Sequence, residues 1–137
     1  MQTRDQQFAS IIYEQVMKLR ETKDKTSYGS MAHTLPILIH TSGLAQALAF
    51  VDSRKKKDKG PGQFLEDLSL TVSGKSAEEF LQHVRTSELR EYIYLTERTL
   101  AALLWYKRYA QAILGIEQGQ EAENTNQGGD NGGEHAK

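Results

Sequence analysis

The stretch from about Ser87 to Gly115 constrains this chain most, because it reads as one helix with neither proline nor glycine before its end. At about 1.5 Å per residue such a helix is about 44 Å long. Its segment from Thr99 to Tyr106 carries no charge. Placing residues at about 100° intervals puts Leu89, Ile93, Leu100, Leu103, Leu104 and Leu114 on one side, flanked by Leu95 and Ile113, and predicts that side as core. The opposite side carries Tyr94, Arg98, Ala101, Trp105 and Arg108, with Tyr109 nearby. A helix apolar nearly all round is covered on several sides, so this one is expected at the centre of its fold.

The rest of the chain follows the same period. Phe8, Ile12, Val16 and Leu19 recur at helical spacing behind Thr3, a predicted N-cap, with Asp5 in the first turn. A second segment is expected from near Ser27 through Tyr28, Met31, Ala32 and Leu35, with a break or kink near Thr34 and Leu35 because Pro36 favours the start of a new helix. Leu44, Leu48 and Val51 continue after Thr41-Ser42-Gly43. Arg54 to Lys59 place cations at that helix's C-terminal end. Gly60-Pro61-Gly62 reads as a linker, Gln63 to Leu70 as a short helix, and Thr71 to Gly74 as a connector. Ser76 and Glu79 form a capping box ahead of Phe80, Leu81 and Val84.

The predicted fold class is therefore all-α: a bundle of about five to seven helices over residues 1–116, followed by a tail over 117–137. The tail is rich in Gly, Asn, Gln and Glu and has no aromatic or β-branched aliphatic residue, a composition expected to stay disordered. A chain of 137 residues suits one domain, and the lack of cysteine excludes disulfides and thiolate metal sites. The longest apolar run, Leu100 to Tyr106, is too short to cross a bilayer, and the polar N-terminus resembles no export signal. A soluble, cytoplasmic protein is expected. Through Ile116 there are 16 Lys and Arg against 13 Asp and Glu; beyond it, one Lys against five acids. A mildly basic body thus precedes an acidic tail, a change of sign that invites a nucleic-acid reading in which the tail competes with the nucleic acid for the body.

Catalytic chemistry finds little support. His33 and His40 lie seven residues apart without an HExxH motif or a carboxylate at helical spacing, so no metal and no cofactor is expected. No Gly-x-Ser-x-Gly frames Ser30 or Ser42, and Gly60 and Gly62 lack the Gly-Lys-Ser or Gly-Lys-Thr of a phosphate loop. Two features remain. The cluster Arg54 to Lys59, with five cations in six residues, is either solvated surface or a phosphate-contacting patch blind to base sequence. The row Tyr94, Arg98, Trp105, Arg108 is either packed under a neighbouring helix or a surface for a protein partner or a single strand.

Two blocks carry a family resemblance. Tyr28-Gly29-Ser30, Leu35-Pro36, Ile39, Gly43-Leu44 and Gln46-Ala47-Leu48-Ala49-Phe50 form the first, and Trp105, Lys107-Arg108 and Tyr109-Ala110 the second. Together they resemble the small helical subunit of the type III-B CRISPR effector, the Cmr complex. His33-Thr34, the stretch from Lys55 to Lys75 and the tail depart from the family's pattern. The resemblance implies a non-catalytic subunit that stacks in several copies beside the backbone subunits. Its partners would be other Cmr subunits, further copies of itself, guide RNA and target RNA, with no membrane and no small-molecule substrate. The expected RNA-binding residues are Arg4, Arg54, Lys55, Lys56, Lys57, Lys107 and Arg108, and the expected protein interface is Tyr94, Arg98 and Trp105. Lys107 falls on the apolar side of its helix and could serve packing instead. The competing readings are a helical adaptor that binds only protein and, more remotely, a nuclease.

Overall fold

Thr3 opens the first helix as a capping residue should: its hydroxyl accepts from the Gln6 amide at 3.1 Å while the Gln6 side chain accepts from the Thr3 amide at 2.9 Å. A computed structural model describes residues 1–118, and the predicted tail disorder lies largely outside the described residues. The elements are α1 (Arg4–Met17), α2 (Lys25–Ser42), α3 (Leu44–Arg54), α4 (Lys59–Ser73), α5 (Ala77–Thr86) and α6 (Leu89–Tyr109). A single π turn, Ala110–Leu114, continues α6. Six helices and no strand among the described residues agree with the all-α reading. The Ser76–Glu79 capping box forms at the start of α5.

Two expected chain breaks are absent. α2 runs through Pro36 without ending near Thr34 and Leu35. Proline costs an interior helix about 3 kcal/mol, but Met31, Ala32, Leu35 and Ile39 are all buried on either side of it. Burying such side chains stabilises by about 1.5–3 kcal/mol each, enough to carry the helix across. The α2–α3 joint comes at Gly43, within the Thr41-Ser42-Gly43 stretch expected to stop one helix and start the next, and its φ of 87° is costly for residues other than glycine.

The Gly60-Pro61-Gly62 segment is likewise no linker, because it forms the first turn of α4. The first four amides of a helix lack intrahelical partners, so Pro61 sacrifices nothing there. Asp58 caps this turn by accepting from the Gly60 amide at 3.1 Å. Gly60 is required by proximity: a Cβ on it would lie 1.9 Å from Ser27 Oγ and 2.8 Å from the Tyr28 amide nitrogen. α4 also extends through Ser73, so the residues read as a connector are helical.

α6 packs against α1, α2 and α4 and is central, as expected. Its buried face, however, is Leu95, Thr99, Ala102, Leu103 and Tyr106, continued by Ala110 and Leu114. Leu89, Ile93 and Leu104, expected in the core, are 74%, 49% and 61% exposed. A helical wheel weighs one helix's side chains alone, whereas the three surrounding helices choose the face. Ala102 and Ala110 allow close approach, and Tyr106 has a polar partner to reach. Tyr28, Phe64 and Tyr106 stack edge to face in series, with ring centroids 5.3 and 5.2 Å apart. The Tyr106 hydroxyl donates to Gln15 Oε1 at 2.5 Å, Gln15 Nε2 donates to Thr71 Oγ1 at 3.0 Å, and Thr71 closes the ring to Tyr106 at 3.0 Å. Burial first, and then the Asp67 charge, hold the Tyr106 hydroxyl well above its ordinary pKa.

Candidate nucleic-acid interface

α2 and α4 meet at their N-terminal ends. Ser27 Oγ donates to Asp58 Oδ1 at 3.0 Å, and Gly60 lies against Ser27, Tyr28 and the Asp24 carbonyl. Each of these helices begins a few residues after its predecessor ends, so the α1–α2 joint and the α3–α4 joint come together at one pole of the bundle. Residues 18–25 and 52–59 then hold nine cations against four acids, a net charge of +5. The expected cluster Arg54 to Lys59 contributes five of these cations. The fold adds Lys18, Arg20, Lys23 and Lys25.

Within this pole Lys55 pairs with Asp52 at 2.7 Å, and that bond and charge raise its pKa. The Arg54 guanidinium lies over the Phe50 ring at 5.6 Å. Lys56, Lys57 and Lys59 are exposed. A cleft of about 340 Å³ separates Lys18, Thr22 and Asp24 from Lys59, Gln63 and Asp67. Burial lifts the Asp67 carboxyl above its ordinary value, partly opposed by hydrogen bonds from Tyr28 at 2.6 Å and Gln63 at 2.9 Å. Its two carboxylate oxygens accept these two bonds, and Lys18, Lys59 and Asp24 are the other charged residues lining the cleft.

The other expected contacts lie elsewhere. Arg4 begins α1, about 21 Å along the helix from Lys18. It is exposed and sits 5.8 Å from the Phe8 ring centroid. Arg98 approaches the same ring to 4.9 Å and donates from Nε to the Val72 carbonyl at 2.7 Å. Arg98 therefore ties α6 to α1 and α4. Trp105 is partly buried, its ring 5.7 Å from Tyr109, which in turn meets Tyr13 edge to face at 5.7 Å. Tyr94 and Arg108 are exposed. The fold thus divides the Tyr94 to Arg108 row between packing and surface.

Lys107 lines a groove between α2 and α6 with Pro36, Ile37, His40, Leu100 and Leu104. Ile37 and Leu104 are exposed, and Leu89 and Ile93 are exposed on the same side of α6. Sequence reasoning placed the leucines and isoleucine of this side of α6 in the core and so missed it as surface. His33, in the same continuous helix as His40, is buried, and its Nε2 donates to the Ile116 carbonyl at 2.8 Å. His40 is exposed at the groove. No helix of the described residues is long and apolar enough to cross a membrane.

Comparison with known proteins was decisive about kinship. The sequence profile of the family described as CRISPR-associated protein (Cas_Cmr5) matches residues 4–113. The CRISPR system Cmr subunit Cmr5 of Thermus thermophilus is 40% identical over 115 residues, which span 83% of this chain and 98% of that subunit. A crystal structure of a CRISPR-associated Cmr5 family protein from the same organism superposes with a TM-score of 0.78 at 38% identity. That match covers 83% of this chain and 99% of the other.

Proposed function

The chain belongs to the CRISPR-associated Cas_Cmr5 family, and from that premise we propose that it is a non-catalytic small subunit of a type III-B Cmr effector in the cytoplasm. It stacks in several copies beside the backbone subunits and helps hold target RNA against the guide RNA. Specificity comes from base pairing between the two RNAs, and this subunit supplies sequence-blind contacts to phosphates.

The observation that carries the RNA part is the union of two helix joints into a pole with net charge +5. Arg54, Lys55, Lys56 and Lys57 provide the contiguous run, and Lys18, Lys25 and Lys59 widen it into a surface. Flexible ammonium groups on helix ends can follow a phosphate backbone without reading bases. Arg4 and Arg108 lie away from the pole and would contact RNA only along a longer track, while Lys107 borders the apolar groove. The exposed side chains of Leu89, Ile93, Leu104 and Ile37 support subunit contacts, because exposed apolar groups gathered on one side are favourable chiefly when covered, and Tyr94 is exposed on the other side of α6. Arg98, packed against Phe8 and Val72, and Trp105, against Tyr109, lie on the other side of α6 and do not form this face. Head-to-tail stacking requires two different complementary surfaces on one protomer.

The test is reconstitution with the other Cmr subunits and guide RNA. Reversing Arg54, Lys55, Lys56 and Lys57 to glutamate should weaken target RNA retention. It should also flatten the salt dependence by about 0.7 log units for each phosphate no longer neutralised. An unchanged salt slope removes the pole from the RNA surface and leaves a subunit that binds protein alone.

A further inference from the structure

Apolar side chains left outside the core gather on two edges of the bundle that face away from each other. α4 and α6 stand between α1 and α2, each packing against both, so the α1–α4 edge and the α2–α6 edge are opposite sides. The α2–α6 edge carries the groove of about 410 Å³ with Ile37 and Leu104 exposed. On the α1–α4 edge Ile11 is 44% and Leu70 58% exposed. Gln15 Nε2 donates to the Asp67 carbonyl at 3.2 Å, and Ile11 and Leu70 each stand one turn beyond that contact. They lie on the sides of α1 and α4 that present Lys18 and Gln63 to the cleft.

The helix directions put the charges of the two edges in one order. Arg98 meets Phe8 and Tyr106 meets Gln15, so α6 runs with α1 toward the basic pole. α2 and α4 begin at the pole and run the other way. On α6, Lys107 lies about 4.5 Å poleward of Leu104, and Glu97 lies about 10.5 Å from Leu104 in the opposite direction on the same side. On α1, Glu14 lies about 4.5 Å poleward of Ile11, and Arg4 about 10.5 Å from Ile11 in the opposite direction. The spacings are equal and the signs are opposite at both positions. Glu66, exposed one turn poleward of Leu70, adds a second acid beside Glu14, whereas no acid lines the groove and α2 contains none.

We propose that a second copy of this chain seats its α1–α4 edge in the α2–α6 groove, displaced by translation alone. Ile11 then meets Leu104, Leu70 meets Ile37, Glu14 meets Lys107 and Arg4 meets Glu97. A translation sets α1 over α6 and α4 over α2, helices that run in the same direction, and so keeps the charge orders in step. Two α2–α6 edges brought together would instead gather Lys107 and Arg108 of both copies, a like-charge juxtaposition. The contact is heterologous, so each copy leaves one edge free for the next and the stack stays open. Every basic pole then lies on the same side of the stack, and the poles join into one track. That consequence rests on the function proposed above; the pairing of faces rests on the two edges.

The chain contains no cysteine, so each introduced thiol reports one contact. The Cmr complex is reconstituted with its other subunits and guide RNA, oxidised with copper phenanthroline and separated on non-reducing gels. Ile11→Cys and Leu104→Cys in one chain should give a ladder of this subunit. Either substitution alone should give none, and a mixture of the two single variants should stop at dimer. Dimers from Leu104→Cys alone, or its coupling to a different subunit, overturn the proposal. Native mass spectrometry of the same complexes counts the copies. Several copies without a ladder overturn the pairing of faces and leave the stacking, whereas a single copy overturns both. In a second arm, Lys107→Glu should lower the fraction of complexes with more than one copy roughly three- to tenfold, and Glu14→Lys in the same chain should restore it. Loss without restoration overturns the register.

Discussion

Gly60→Ala separates what helix propensity says from what the fold says. Gly60 lies within α4, and alanine in a helix interior is favoured over glycine by up to about 1 kcal/mol. On propensity alone the substitution stabilises. In the structure the new Cβ meets Ser27 Oγ at 1.9 Å, the Tyr28 amide nitrogen at 2.8 Å and the Asp24 carbonyl oxygen at 3.0 Å. Ser27 can rotate away, but its single hydroxyl proton, shared between Asp58 and the Asp24 carbonyl, then loses a hydrogen bond worth about 1 kcal/mol. The two backbone atoms cannot rotate away, so α2 and α4 must part, and overpacking of this kind costs about 1–3 kcal/mol. Set against the propensity gain, the net destabilisation is about 2 kcal/mol, and Tm falls by on the order of 8 °C. Urea unfolding followed by far-UV circular dichroism measures this with an unchanged m-value. Gly62→Ala is the control, since its Cβ meets side-chain and backbone carbon of Lys55 at 3.1 and 3.9 Å and no polar backbone atom. It should stay within about 0.5 kcal/mol of the parent. Removing Ser27 Oγ as well should cost less than the sum of the single changes, because both act on one contact. A Gly60→Ala protein as stable as the parent would refute the close α2–α4 approach and, with it, the union of the two basic joints.

Two further outcomes follow from the same geometry. Burial holds the Asp67 carboxyl above the ordinary value of 3.8, so the folded state binds this proton more tightly than the unfolded chain does. The resulting stability is fully present below 3.8 and is lost as pH rises through the raised folded value. Asp67→Asn should remove that decline from urea-derived stabilities taken between about pH 4 and 7, and parallel curves for the two proteins would reject it. Leu104→Glu, at a site 61% exposed, should change stability by no more than about 0.5 kcal/mol yet reduce incorporation into a reconstituted Cmr complex. Full incorporation would remove the α6 strip from the subunit interface.

Helix identity was legible from residue order because its causes are local. Thr3 with Gln6 and Ser76 with Glu79 satisfy orphan amides within one turn, and Phe8, Ile12 and Val16 line up on any helix that contains them. The readings that failed were those that treated a local signal as sufficient. Pro36 lies inside α2 because buried neighbours outweigh its cost, and Gly60-Pro61-Gly62 begins a helix because Asp58 caps it and Ser27 leaves room only for glycine. Of the basic surface, the run Arg54 to Lys57 was visible as a run. Lys59 closes that cluster after Asp58, whereas Lys18 and Lys25 were not visible as part of it, since they stand about thirty residues away in the chain.

By itself, then, the order of residues determined an all-helical chain, its caps, its long last helix and its family blocks, all of which depend on neighbours three or four positions apart. Only the tertiary structure decided which way α6 turns and which helix ends meet. The rotation is set by the three helices around α6, so Leu95, Thr99 and Tyr106 face inward while Leu89, Ile93 and Leu104 are left outside. Short connections guarantee that α1 ends where α2 begins and α3 where α4 begins. That these two joints share one pole depends on Gly60 letting α4 close on Ser27, a contact between residues 33 apart that no helical period can announce.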